Sequence, residues 1–203
     1  MKLYDSPFAP NPRRVRIFLA EKGIEIPKVF VDLAKMQHKE AAYEAVNPLR
    51  CIPALELDDG TVLTESIAIC RYLDELHPEP PLFGTDALSR AQIEMWQRRL
   101  EFGLLGTVGA AFRHAHPAMK EMEAPQIPTW SEVNKGRALD FLRFLDRHLA
   151  DQPFVCGETF TVADITGLIA LDFTKPARIA VPDELGHVRR WHRTLAERPS
   201  AAA

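Results

Sequence analysis

Short apolar runs give way to long helical periodicities along this chain, and the change divides it in two. In the first part, Lys2 to Tyr4, Val29 to Val31, Ala54 to Leu57 and Val62 to Leu63 each read as a strand of a few residues. Between the first two, Val15, Phe18 and Leu19 fall on one face, so Pro12 to Lys22 reads as a helix with Gly23 just past its end. A short helix around Ala41 to Val46 stops at the Asn47-Pro48 break, and Asp59-Gly60 is a strong hairpin signal between the last two strands. Ile67 to Leu76 closes the unit as a helix. The order strand, helix, strand, helix, hairpin, helix makes the first two strands parallel, because a crossover helix joins them, and adds the hairpin antiparallel.

The run His77-Pro78-Glu79-Pro80-Pro81-Leu82-Phe83-Gly84 cannot continue a helix and reads as a linker. Beyond it nothing looks like a strand. Asp86 to His114 is one long periodic segment, with Gly103, Gly106 and Gly109 placed to bend it or to let another backbone approach, and Glu132 to Leu149 is a second. Thr161-Val162-Ala163-Asp164-Ile165 carries a hydroxyl followed three residues later by an acid, the signature of a capped helix start. Val188 to Glu197 reads as a last helix, ended by Pro199. The expected fold is an α/β, thioredoxin-like N-terminal domain with a mixed four-stranded sheet over residues 1–77, followed by an all-α helical domain over residues 86–203.

Composition narrows the function classes. A 203-residue chain that is 46% hydrophobic has enough apolar material for two cores. Lys and Arg total 25 against 28 Asp and Glu, a mild acidic excess that argues against a nucleic-acid protein, whose binding face would need a basic balance. No apolar segment sits behind a basic N-terminal flank, and no apolar run approaches the roughly 18 residues of a membrane span, so a cytoplasmic protein is expected. Cys51, Cys70 and Cys156 are odd in number and widely spaced, without Cys-x-x-Cys or a His cluster at ligand intervals, so neither structural disulfides nor a metal is expected.

Three segments carry the candidate chemistry. Ser6-Pro7-Phe8-Ala9-Pro10-Asn11-Pro12-Arg13-Arg14 reads as a loop running into a helix, with Asn11 as cap and Pro12 at the first helical position. Arg50-Cys51-Ile52-Pro53 stands directly before a strand, as the cis-proline loop of thioredoxin-fold proteins does. Thr64-Glu65-Ser66 starts a helix, where exposed N–H groups and the positive dipole end favour a carboxylate. With those three segments in that order and spacing, the chain resembles the cytosolic glutathione transferases end to end. It is most similar to their bacterial and fungal branch, whose members share its Tyr-Asp-Ser-Pro opening and its Ala-Pro-Asn-Pro-Arg-Arg-Val-Arg stretch.

The resemblance implies an enzyme that joins the glutathione thiolate to small hydrophobic electrophiles, as in detoxification, and that works as a homodimer without a metal. It implies that Glu65 and Ser66 receive the γ-glutamyl end, that Ile52 beside Pro53 pairs through its backbone with the cysteinyl part, and that Lys39 and Arg50 meet the glycyl carboxylate. A free thiol has a pKa of about 8.5, so lowering it by about two units takes roughly 2.7 kcal/mol of preferential interaction with the anion. Ala9 stands where many members have a hydroxyl, which leaves Asn11 as the first candidate for that catalytic interaction. Ser6, Tyr4, backbone N–H groups, and a water near His114 or His116 are the alternatives. Phe8, Phe112, His114 and His116 are implied to line the acceptor pocket. Arg13 and Arg14, cations in a first helical turn, hint at an anion nearby. Two other readings share the fold: a glutathione-dependent disulfide or peroxide reductase, with Cys51 beside the cysteinyl site, and a noncatalytic glutathione-binding protein.

Overall fold

A computed structural model describes all 203 residues. The chain divides into two compact units, one made of residues 1–82 together with 199–203, the other of residues 83–198. In the first unit, β1 (Lys2–Asp5), α1 (Pro10–Lys22) and β2 (Lys28–Phe30) form a parallel crossover. A short helix α2 (Ala41–Glu44) precedes the hairpin of β3 (Ala54–Glu56) and β4 (Val62–Thr64), and α3 (Ser66–Leu76) follows. The sheet order is β2-β1-β3-β4, with β3 antiparallel to both its neighbours, which is the mixed sheet that the strand order predicts.

Helix α1 starts earlier than the Asn-Pro pattern predicts. Its cap is Ala9, Pro10 is the first helical residue, and Asn11 is the second, so Asn11 is not the cap. Both prolines are tolerated because they stand in the first turn, where their missing N–H groups have no helical acceptor. Gly23 ends α1 in the left-handed conformation and donates to Ala20.

Helices α1 and α3 pack side by side with matched rows. Arg14, Phe18 and Lys22 of α1 stand one turn apart, as do Ser66, Cys70 and Asp74 of α3. Arg14 meets Ser66 at the start and Lys22 meets Asp74 at the end, so the two helices run parallel. Lys22 also donates to the His77 carbonyl at 2.8 Å, which ties the end of α3 to α1. The closing turn Pro199–Ala202 belongs to this unit: the Ser200 hydroxyl donates to Glu21, and Arg13 donates to the Ala201 carbonyl.

The second unit holds α4 (Ala87–Leu100), α5 (Gly106–Arg113), α6 (Pro128–His148), α7 (Val162–Thr174) and α8 (Gly186–Ala196). The long segment anticipated over Asp86 to His114 is continuous, with a π-helical turn at Glu101–Leu105 joining α4 to α5. Gly103 in that turn allows close packing: a Cβ there would lie 2.5 Å from the Phe141 ring. Helix α6 begins at Pro128, four residues before the predicted start, because a proline at the first position needs no side-chain cap. At the start of α7 the buried Asp164 carboxylate accepts from the N–H groups of Val155 and Thr161, the Thr161 hydroxyl and the Trp191 indole. The capped start read from the sequence is present and carries the structural role expected of it. No helix is long and apolar enough to cross a membrane.

Candidate active site

Strand register brings four connections to one end of the sheet. Tyr4 pairs with Ala54 and Ala54 with Thr64, so Asp5, Pro53 and Glu65 follow one another just beyond the ladder. The parallel partner β2 ends level with Asp5, at Phe30, so the segment leading to Lys39 leaves from that end too. The loop before α1, the Arg50 to Pro53 loop and the start of α3 therefore share one rim of the first unit.

The loop before α1 is held from below by Arg16. Its guanidinium is buried, lies 2.6 Å from the Asp5 carboxylate and donates to the carbonyls of Ser6 and Pro7. Those bonds fix where α1 starts. Arg13 makes the first intrahelical bond, to Ala9, which leaves three N–H positions without a helical acceptor. Pro10 and Pro12 occupy two of them, so the backbone N–H of Asn11 is the only donor of the group. Its side chain is exposed, and its amide adds two further N–H donors. Ser6 is buried and Phe8 is 96% exposed. Tyr4 is directed elsewhere. Its hydroxyl donates to Glu56 at 2.8 Å, and burial with that carboxylate pushes its pKa up, opposite to what a thiol-activating tyrosine needs.

Ile52-Pro53 is a cis peptide, as the resemblance carried by the three segments implies. The preceding carbonyl, that of Cys51, accepts from the Tyr43 hydroxyl and the Asn47 amide, both at 2.7 Å. Asn47 also accepts from the N–H of Leu49, so one buried amide ties together both sides of the loop. Ile52 itself packs with Ala9, Val31 and Tyr43, while its N–H and carbonyl enter no backbone hydrogen bond within the chain. Arg50 has a positive φ of 55° and donates through Nη2 to Glu44 at 2.7 Å. Lys39 is exposed at the end of a 3-10 turn over Gln37–Lys39.

Glu65 caps α3 with φ 62° and ψ 113°, a conformation that side chains other than glycine rarely adopt. Strain of this kind persists where surroundings over-determine it, and it clusters at ligand clamps. The Glu65 side chain is exposed, whereas Ser66 is 6% exposed and its hydroxyl accepts from Arg14 Nη1 at 3.0 Å. Arg14 is therefore not one of two surface cations on a first turn: it is 1% exposed and turned toward α3.

In the second unit, Phe112 stacks on His116 with ring centroids 4.5 Å apart, and Phe173 tilts against it at 5.0 Å. His116 Nδ1 accepts the Ala118 N–H and His114 Nδ1 accepts the Ile127 N–H, so each neutral ring carries its proton on Nε2. His114 Nε2 lies 3.7 Å from Glu123. Three of the residues expected in an acceptor pocket thus stand together in this unit, and Phe8 belongs to the other.

Two family models match the chain: Glutathione S-transferase, N-terminal domain, over residues 6–76, and Glutathione S-transferase, C-terminal domain, over residues 98–199. The chain belongs to the glutathione S-transferase family. Glutathione S-transferase 2 of Saccharomyces cerevisiae is 37% identical over 98% of this chain and 87% of its own. The crystal structure of Gtt2 from that yeast superposes with a TM-score of 0.94, at 37% identity, over 100% of this chain and 99% of that one. A glutathione S-transferase domain-containing protein of Marinobacter aquaeolei VT8 superposes with a TM-score of 0.95, at 40% identity, over 98% and 99%. The family and its bacterial and fungal branch are thus the ones that the three segments indicate.

Within this transferase, sequence reasoning passed over the residues that hold the rim in place. Asn47 reads only as a break before Pro48, and Tyr43 and Arg16 are given no role by the pattern. Each acts on a backbone carbonyl through tertiary contact. The one local signal was Asn47-Pro48 itself, since an Asn side chain readily bonds nearby backbone.

Proposed function

We propose that this transferase binds glutathione along the rim of its first unit and transfers the thiolate to small, hydrophobic electrophiles. The observation that carries this reading is the start of α3, where a left-handed Glu65 and a buried Ser66 hydroxyl stand next to the cis Pro53. Glutathione is an extended peptide with a carboxylate and an ammonium at one end, a thiol in the middle and a carboxylate at the other. Ser66 and the free N–H groups of α3 take the γ-glutamyl carboxylate, and Glu65 takes the ammonium. Ile52 offers its free N–H and carbonyl to the cysteinyl backbone as a strand edge would. Lys39 and Arg50 receive the glycyl carboxylate; Glu44 occupies only one Nη of Arg50 and leaves other donors for the ligand.

Asn11 then stabilises the thiolate. Its amide and its backbone N–H are both available donors at the head of α1, and hydrogen bonds to an anion, worth about 1.5–3 kcal/mol each, cover the roughly 2.7 kcal/mol that a two-unit pKa drop requires. Asn11 cannot remove the proton, so solvent takes it and the site shifts the equilibrium. The active form is a homodimer, and the role is cytoplasmic detoxification. The compartment suits three cysteines that form no disulfide.

Calorimetry with glutathione and turnover of an aryl halide test the reading together. Glu65→Ala and Ser66→Ala are expected to weaken glutathione binding at least tenfold, and bound glutathione is expected to show thiolate absorbance at a pH where the free tripeptide does not. Unchanged affinity in both variants would sink the assignment.

A further inference from the structure

Ser66 has one hydroxyl proton and two lone pairs, and which way the proton points decides whether it serves an anion. Arg14 Nη1 donates to the Ser66 oxygen at 3.0 Å. A guanidinium has no acceptor, so the hydroxyl proton cannot return that bond and must turn to another partner. Both side chains are more than nine-tenths buried, Arg14 at 1% and Ser66 at 6%, so little water competes for either end of the contact. The pair also sits where α1 and α3 begin, with the Lys22–Asp74 pair two turns further on keeping the helices in the same register. A rotation or slide of either helix that moved Ser66 would break contacts at both ends of that row.

We propose that Arg14 is a positioning residue for the amino-acid end of the ligand. By donating to the Ser66 hydroxyl oxygen, it turns that hydroxyl into a one-way donor toward a carboxylate at the start of α3. This assignment rests on the reading that Ser66 receives the γ-glutamyl carboxylate. It separates Arg14 from its neighbour Arg13, which donates to the Ala201 carbonyl and serves the closing turn of the unit.

The test is a double-mutant cycle on glutathione affinity, with Arg14→Met, Ser66→Ala and the combination measured by calorimetry on the full chain. The same titrations use 4-aminobutyryl-cysteinyl-glycine, which is glutathione without its α-carboxylate. Arg14→Met is expected to weaken glutathione about tenfold, to leave the decarboxylated analogue unchanged, and to have no further effect once Ser66 is alanine. A general loosening of the fold would weaken both ligands alike and would add to Ser66→Ala in full, and that result overturns the proposal for Arg14 alone. Unchanged affinity in Ser66→Ala overturns the role of Ser66 and that of Arg14 with it. If Arg14→Met fails to fold, Arg14→Lys, which keeps the charge and a donor but loses the planar fork, carries the same cycle with a smaller expected loss.

Discussion

Asn47 donates its side-chain amide to the Cys51 carbonyl at 2.7 Å, four residues along the chain, and so fixes the peptide that leads into cis Pro53. Tyr43 donates to the same oxygen, so Asn47→Ala leaves one of two bonds and the fold survives. The expected cost is about 1–2 kcal/mol of stability, with the KM for glutathione raised several-fold and kcat for the bound substrate little changed. Initial-rate kinetics at varied glutathione would decide it. A fall in kcat at unchanged KM would place Asn47 outside the binding loop.

Asn11 can be tested cleanly because Ala9, not Asn11, caps α1. Replacing Asn11 by Ala is expected to raise the pKa of bound glutathione by one to two units and to lower turnover roughly ten- to a hundredfold, since about 1.4 kcal/mol corresponds to each unit. Asn11→Asp is expected to be slower still, because a negative charge then faces the sulfur. Its melting temperature should hold or rise, since an acid in the first turn suits the helix dipole. Full activity in the Asp variant would transfer thiol activation to the backbone or to water.

Glu65 holds a conformation that costs a non-glycine residue about 1–3 kcal/mol, so its side chain and its backbone pull stability and function apart. Glu65→Gly is expected to raise unfolding stability by about 1 kcal/mol while weakening glutathione binding. Chemical denaturation and calorimetry on the same preparation report the two signs. A variant less stable than the parent would show that the side chain supports the fold.

Asp164 links stability to pH. Burial pushes its pKa up from 3.8 to about 6, against the pull of donors from Val155, Thr161 and Trp191. A folded-state value above the unfolded one means that the native state binds the extra proton. The contribution of Asp164 is therefore fully present below pH 3.8 and is lost as pH rises through 6. The stability of the parent relative to Asp164→Asn, which does not titrate, should fall by about 2–3 kcal/mol between pH 4 and pH 7. A pH-independent difference would mean that the four donors hold the carboxylate ionised throughout.

The sequence determined the architecture and most of the rim. Asp59-Gly60, the proline breaks and the change from short strands to long helical periodicities are local signals, and local backbone preference is enough to set element type and order. The Thr161 to Asp164 cap was legible for the same reason, since its partners lie three residues apart. Glu65, Ser66, Ile52 and Pro53 could be named because their three segments resemble a known family, and the pattern by itself places them only at element boundaries. Tertiary structure decided the rest. Whether Ala9 or Asn11 caps α1 depends on how Arg16 holds the carbonyls of Ser6 and Pro7. That Arg14 turns inward depends on Ser66, 52 residues away in sequence. The proton position on His114 is set by the N–H of Ile127, 13 residues on. Side-chain direction follows from which distant atoms can satisfy a buried donor or acceptor, and a periodicity along the chain contains no information about those partners.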